Sequence, residues 1–286
     1  MDAHEPGDRE RAPTTPGATT GSLRQPSHRW LVRAREAQAG APSILCFPHA
    51  GGTPLAAGPL VRHLPEHIGM MAVNLPGREG HGLFPAPRRA ACAAAAIAET
   101  LMTLDRLPSV FLGNSYGALL AYETARTLVQ QGAAEPRLIV SGFRSPLLPP
   151  VEGPLFNAPR SFLRSELAAR FGVSARDLDQ LGSAHFEPAL RADLEACETY
   201  RHVGKVCLSR PIEVLIMTDD PAVSRDELMA WEAVSAGGAR LHPVRGQHFC
   251  WTLQAETVAA AVERLLSAGT FGGSECERGS AGRQGA

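Results

Sequence analysis

Val110-Phe111-Leu112-Gly113-Asn114-Ser115-Tyr116-Gly117-Ala118-Leu119-Leu120-Ala121-Tyr122-Glu123 decides the fold. Its first three residues form an unbroken apolar run, as a strand covered on both faces requires, and from Ala118 onward the pattern is helical. Gly-Asn-Ser-Tyr-Gly between them leaves only a sharp strand-to-helix turn. Such an elbow lifts its central side chain above the sheet in a strained conformation, and its glycines let strand and helix pack without intervening β-carbons. The helix start also aims N–H groups at any negative charge forming beside Ser115.

Working outward, similar apolar runs recur at Ser43–Phe47, Met70–Val73, Leu138–Val140, Pro211–Met217 and Arg240–Val244, with helical patterns such as Ala118–Gln131 and Val258–Ser267 between them. Strands alternating with helices predict an α/β fold, a mostly parallel, doubly wound sheet. From about 147 to 205 no strand pattern appears, only helical segments punctuated by Pro and Gly. An insertion of that size between two core strands predicts a helical lid over the carboxyl ends of the sheet. The α/β unit is expected to span 28–269. Residues 1–27 and 270–286, rich in Gly, charge and either Pro and Thr or Ser, are expected to be disordered tails.

Composition narrows the function. The 286 residues carry 28 Lys plus Arg against 29 Asp plus Glu, a net charge of −1, so no global electrostatic pull toward nucleic acid or an anionic membrane is expected. With 44% hydrophobic and 20% charged residues, the chain can bury a full core. The N-terminus carries Asp2, Glu5, Asp8 and Glu10 without an apolar stretch, and the run Ala90–Ala98 is too short to span a bilayer. Six cysteines without CxxC or regular spacing argue for reduced thiols in a cytoplasmic protein rather than disulfides or zinc.

A serine hydroxyl becomes a nucleophile only when a base takes its proton. His248, in Gly246-Gln247-His248-Phe249, follows the last strand and precedes the terminal helix, which makes it the expected base. Thr218-Asp219-Asp220-Pro221 closes the preceding strand and offers two acids. Asp220 is preferred because the following proline fixes its turn, with Asp219 as the alternative. The loop Phe47-Pro48-His49-Ala50-Gly51-Gly52 is small enough for backbone amides to approach a forming oxyanion, so the N–H groups of Ala50 and Tyr116 are the expected donors. His49, Tyr116 and Phe249 are the candidate substrate contacts. Phe162, Leu163, Leu167 and Phe171 have helical spacing and suit either an acyl channel or simple packing, while Arg191 and Asp193 read as a solvated or salt-bridged helix face.

Taken together, Cys46-Phe47-Pro48-His49-Ala50-Gly51-Gly52, Leu75-Pro76-Gly77-Arg78-Glu79, the elbow with Leu120–Arg126, Ser141-Gly142, Leu190-Arg191-Ala192-Asp193 with Glu198 and Tyr200, Asp220-Pro221 with Val223, and His248-Phe249 resemble the type II thioesterases of polyketide and nonribosomal peptide assembly lines. The resemblance covers roughly residues 30 to 267. It implies an α/β-hydrolase fold with a helical lid, a Ser115–Asp220–His248 triad, and hydrolysis of acyl groups from the phosphopantetheine arm of an acyl or peptidyl carrier protein. No metal or other cofactor is expected, and a monomer is. The chain departs from the family's usual Gly-His-Ser-Met-Gly elbow at Asn114 and Tyr116, and has Met217 and Gln247 where glycines are usual. The phenol of Tyr116 is therefore expected to narrow the acyl pocket or bond the substrate. Acyl transfer or cyclisation by the same triad stays open as a second use, and a non-catalytic carrier-binding module as a third.

Overall fold

The computed structural model describes residues 30–78, 84–150, 153–205 and 208–268. Both expected tails lie outside these residues, as do Glu79 of the Leu75–Glu79 motif and the cysteines at 207 and 276. Seven strands, β1 (Leu31–Arg35), β2 (Ser43–Phe47), β3 (Gly69–Val73), β4 (Val110–Asn114), β5 (Arg137–Ser141), β6 (Ile212–Met217) and β7 (Ala239–Val244), form one sheet in the order β1-β3-β2-β4-β5-β6-β7. Every pairing is parallel except β1 with β3. The six runs read from sequence are β2 to β7. β1 has no counterpart among them, because this edge strand presents mostly exposed side chains and carries no buried run.

Side chains alternate between two apolar layers, as the period of a strand dictates. Leu45, Phe47, Phe111, Val140 and Val214 face α2 (Ala90–Leu101) and α3 (Tyr116–Gln130). Ile44, Cys46, Leu112, Ile139 and Leu215 face α1 (Gly58–His63) and α9 (Ala255–Ala268), which pack together on the opposite side. Both faces are covered, which is why these strands read as continuous apolar runs.

The lid consists of α4 (Arg160–Phe171), α5 (Ala175–Leu178) and α6 (Phe186–Glu198). It has an apolar cluster of its own, built from Leu155, Leu163, Leu167, Leu178, Leu190 and Leu194. Its exit is tied to the main body through α3. The buried Glu123 carboxylate accepts bonds from Arg126 (2.7 Å) and the Tyr200 hydroxyl (2.5 Å), and Arg126 donates to the Val203 carbonyl (2.8 Å). The remaining helices, α7 (Arg225–Met229) and α8 (Cys250–Leu253), follow β6 and β7 respectively. Among the described residues no helix is long and apolar enough to cross a membrane.

The strand order fixes where a ligand belongs. From β2 the chain moves outward to β3, then crosses back to β4 on the other side of β2. The crevice between the carboxyl ends of β2 and β4 is therefore the switch point of the sheet.

Candidate active site

Ser115 sits at that point, between the last residue of β4 and the first of α3. Its φ of 55° and ψ of −128° make it the sole non-glycine residue with positive φ among those described. The flanking glycines cannot be replaced. A β-carbon on Gly117 would lie 1.8 Å from the Phe47 carbonyl oxygen, and one on Gly113 would lie 2.5 Å from the Gly117 carbonyl oxygen. Both obstacles are backbone, so neither can swing aside.

The expected partners converge on the serine. His248 Nε2 stands 3.0 Å from Ser115 Oγ, and His248 Nδ1 stands 2.9 Å from Asp220 Oδ2. With the Nδ1 proton directed at the carboxylate, Nε2 presents a lone pair to the hydroxyl. The other carboxylate oxygen of Asp220 accepts the Ala222 N–H at 2.9 Å, which fixes its rotation. Asp219 is exposed and, among the described residues, its carboxylate meets only the Thr218 hydroxyl, so the alternative acid plays no part in this relay. The histidine loop is itself anchored. Fully buried Asn114 donates from Nδ2 to the His248 carbonyl (3.0 Å), and its Oδ1 accepts from Ser141 Oγ (2.7 Å) and Cys250 Sγ (3.7 Å). The sequence marked Asn114 only as a departure from the usual elbow. Its neighbours in β5 and the loop after β7 give it a purpose that spacing along the chain does not reveal.

The loop Pro48–Gly52 leaves the carboxyl end of β2, at the crevice. The Tyr116 N–H stands at the first position of α3, where no helix carbonyl can reach it, and the Ala50 N–H has no acceptor among the described residues. Neither amide is committed to a partner within the fold. The next amide is occupied: Gly51 N–H donates to Asp193 Oδ2 at 2.7 Å. The same oxygen takes a short bond from Arg78, whose guanidinium also reaches the carbonyls of Pro76 (3.1 Å) and Gly52 (3.2 Å). Of the two expected readings, solvated or salt-bridged, Asp193 takes the second: it is 0% exposed and paired with Arg78; burial pushes its carboxyl up, against the opposing pull of Arg78 and the Gly51 amide. Arg191 does form the salt bridge expected of it, to Glu187 at 2.9 Å, and also holds the carbonyls of Phe156 and Ala158.

Above the serine lies a cavity of about 430 Å³, lined chiefly by lid side chains including Leu167, Phe171, Phe186 and Leu190, with His49 and Phe249 on the sheet side. His248 packs between Phe171 (ring centroids 4.9 Å) and Phe249 (5.2 Å), leaving the imidazole 2% exposed. His49 stacks edge-on against Phe249 at 4.8 Å, and its Nδ1 donates to the Ala50 carbonyl at 2.9 Å. Desolvation lowers its pKa to about 4, so the ring is neutral at physiological pH. Of the apolar residues singled out on α4, Leu167 and Phe171 face the cavity, Leu163 is buried in lid packing, and Phe162 is exposed. Tyr116 contradicts its expected side-chain role. Its phenol is 1% exposed, packs in the apolar core within electrostatic range of Asp193 and Arg78, and does not line the cavity. Met217 and Gln247 do not line the cavity either: Met217 is buried at the end of β6, and the Gln247 backbone N–H donates to Gln254 Oε1 at 3.2 Å.

Comparison with known proteins agrees with this geometry. The thioesterase domain family model matches residues 42–266. A probable cadicidin biosynthesis thioesterase of Streptomyces griseus is 31% identical over 275 residues, covering 91% of this chain and 76% of its own. Thioesterase PikA5 of Streptomyces venezuelae is 32% identical over 237 residues, covering 81% and 83%. Among solved structures, the type II thioesterase BorB from the borrelidin biosynthetic cluster superposes with a TM-score of 0.75 at 27% identity, covering 85% of this chain and all of its own. An elbow serine, a buried imidazole and a lidded apolar cavity on this sheet are thus accounted for together: the chain belongs to the thioesterase family, as a thioester hydrolase of the type II kind.

Proposed function

We propose that the chain hydrolyses acyl groups from the phosphopantetheine arm of an acyl or peptidyl carrier protein, clearing or releasing intermediates of polyketide or nonribosomal peptide synthesis. It acts as a cytoplasmic monomer without metal or cofactor. The observation that carries this reading is the Ser115–His248–Asp220 relay, with separations of 3.0 and 2.9 Å, opening onto an apolar cavity.

In the first half-reaction Ser115 Oγ attacks the thioester carbonyl carbon while His248 Nε2 takes its proton. The tetrahedral oxyanion accepts hydrogen bonds from the amides of Ala50 and Tyr116, at the positive end of α3. Collapse breaks the carbon–sulfur bond, and the imidazolium returns its proton to the departing thiolate. Water then adds to the acyl-serine with His248 again as base, and the acid leaves as Ser115 recovers its proton. Asp220 holds the productive tautomer and steadies the transient imidazolium. Phe171 and Phe249 keep bulk water from the ring, which strengthens each charge interaction within the site.

Carrier protein loaded with a labelled acyl group provides the test, with free acid and acyl-enzyme followed by mass spectrometry. Wild type yields free acid and Ser115→Ala none. Equal turnover by the variant would remove Ser115 as nucleophile, and a cyclised or transferred product would replace hydrolysis with acyl transfer.

A further inference from the structure

The loop that carries the Ala50 amide is held by the lid rather than by its own strand. Gly51 has a φ of +72°, and a β-carbon there would lie 3.1 Å from Phe186 and 3.3 Å from Leu190, so α6 presses directly on the loop. The peptide joining Ala50 to Gly51 is gripped at both ends. Its carbonyl accepts from His49 Nδ1, and its N–H donates to Asp193. One residue on, the Gly52 carbonyl accepts from Arg78, the ion-pair partner of that same carboxylate.

Stability alone is a poor account of this arrangement. Asp193 and Arg78 have side chains 0% and 3% exposed, and one oxygen of Asp193, Oδ1, has no hydrogen-bond partner. An aliphatic residue between Leu190 and Leu194 would fill the site without desolvating a charge. What an aliphatic residue lacks is an acceptor for the Gly51 amide.

We infer that Asp193 is the positioning residue of the oxyanion loop, acting through Gly51 on the Ala50 amide, with Arg78 as its counter-charge. The inference rests on the proposed role of Ala50 as an oxyanion donor. Three stretches far apart in sequence, Pro48–Gly52, Leu75–Arg78 and Leu190–Asp193, then form one device, and the donor is in place only while α6 sits on the loop.

Two double variants isolate the acceptor, because both remove the charges together. Arg78→Met/Asp193→Asn keeps an oxygen for the Gly51 amide, whereas Arg78→Met/Asp193→Leu does not. Steady-state kinetics on an acyl-pantetheine thioester are paired with affinities for two analogues: a trifluoromethyl ketone, which forms a covalent oxyanion, and an unreactive thioether. The leucine variant is expected to show kcat about 10²-fold below the asparagine variant, the scale of a displacement of about 1 Å at a catalytic group. KM and thioether affinity should stay within about twofold, and ketone affinity should fall by the same factor as kcat/KM. Equal kcat in the two variants, or parallel loss of ketone and thioether binding, overturns the assignment. Should the leucine variant fail to fold, Asp193→Ala in the same background takes its place and is read identically. Absence of turnover and of a Ser115–ketone adduct in wild type would instead refute the hydrolase reading itself.

Discussion

Strands β6 and β7 carry one carboxylate–imidazole pair along their length and a second beyond their carboxyl ends. Within the strands, Glu213 Oε2 of β6 lies 2.7 Å from Nε2 of His242 in the middle of β7; beyond their carboxyl ends, Asp220 Oδ2 lies 2.9 Å from His248 Nδ1. Both carboxylates have side chains almost wholly buried, at 2% and 4% exposure. The pairs differ in what else surrounds them. Glu213 also meets Arg137 (3.0 Å) and Arg240 (3.4 Å), so its charge is already neutralised, and no hydroxyl bonds the His242 ring among the described residues. Asp220 meets a backbone amide instead, and the far nitrogen of His248 meets a serine at the start of a helix. A buried carboxylate–histidine bond is therefore an ordinary structural element. In the proposed mechanism, reactivity comes from leaving the carboxylate free of guanidinium and placing an alcohol on the opposite nitrogen.

Mutation should separate the two pairs. Asp220→Asn keeps the shape of the upper pair but no longer fixes the tautomer, and kcat is expected to fall about 10⁴-fold. His242→Gln in the lower pair should leave kcat within about twofold, measured on the same thioester; a comparable loss from both would erase the distinction. The next effect is on stability. Glu213→Gln leaves kcat per folded molecule unchanged and costs about 2 kcal/mol in urea unfolding, through lost charge-assisted bonds.

The lower pair also has a sign in acid. Burial raises the Glu213 pKa, but the bonds from His242 and Arg137 outweigh it and hold the folded value below 4.5. A depressed carboxyl contributes stability that is present above the unfolded value and lost as pH falls through the folded one. Urea titrations from pH 6 down to pH 3 should therefore show a steep loss in wild type and a shallower one in Glu213→Gln. Identical slopes would contradict the assignment. A smaller effect than that of Asp220 belongs to Asn114, which holds the backbone of the upper histidine. Asn114→Ala should lower kcat about tenfold with KM unchanged, and a change in KM alone would deny it that role.

The sequence is most legible where one local signal suffices. Six strands announce themselves as apolar runs, the elbow by its glycines, and Asp220 over Asp219 by the proline that follows. The edge strand β1 lacks such a signal because water, not core, faces most of its side chains. Long-range partners leave even less trace. Asp193 lies between Ala192 and Leu194 on an amphipathic helix, and nothing nearby reveals the arginine 115 residues earlier that allows its burial. Glu213 does carry a warning, since a charge inside the run Ile212–Met217 must find a partner. The phenol of Tyr116 shows the opposite hazard: adjacency to the nucleophile in sequence says nothing of direction, because the first turn of α3 buries that side chain in core packing rather than in the cavity lining.

The cysteines bear on what happens after each turnover. A thioester hydrolase releases a thiol at each turnover, and an enzyme with accessible thiolates beside its site would risk capture as a mixed disulfide. Cys250, bonded to Asn114 just behind the histidine loop, and Cys46 in β2 are buried, and burial pushes both thiols up to about 12. They stay protonated and sealed from the product. Cys92, exposed on α2 and remote from the cavity lining, can take a maleimide probe while the reaction centre keeps working.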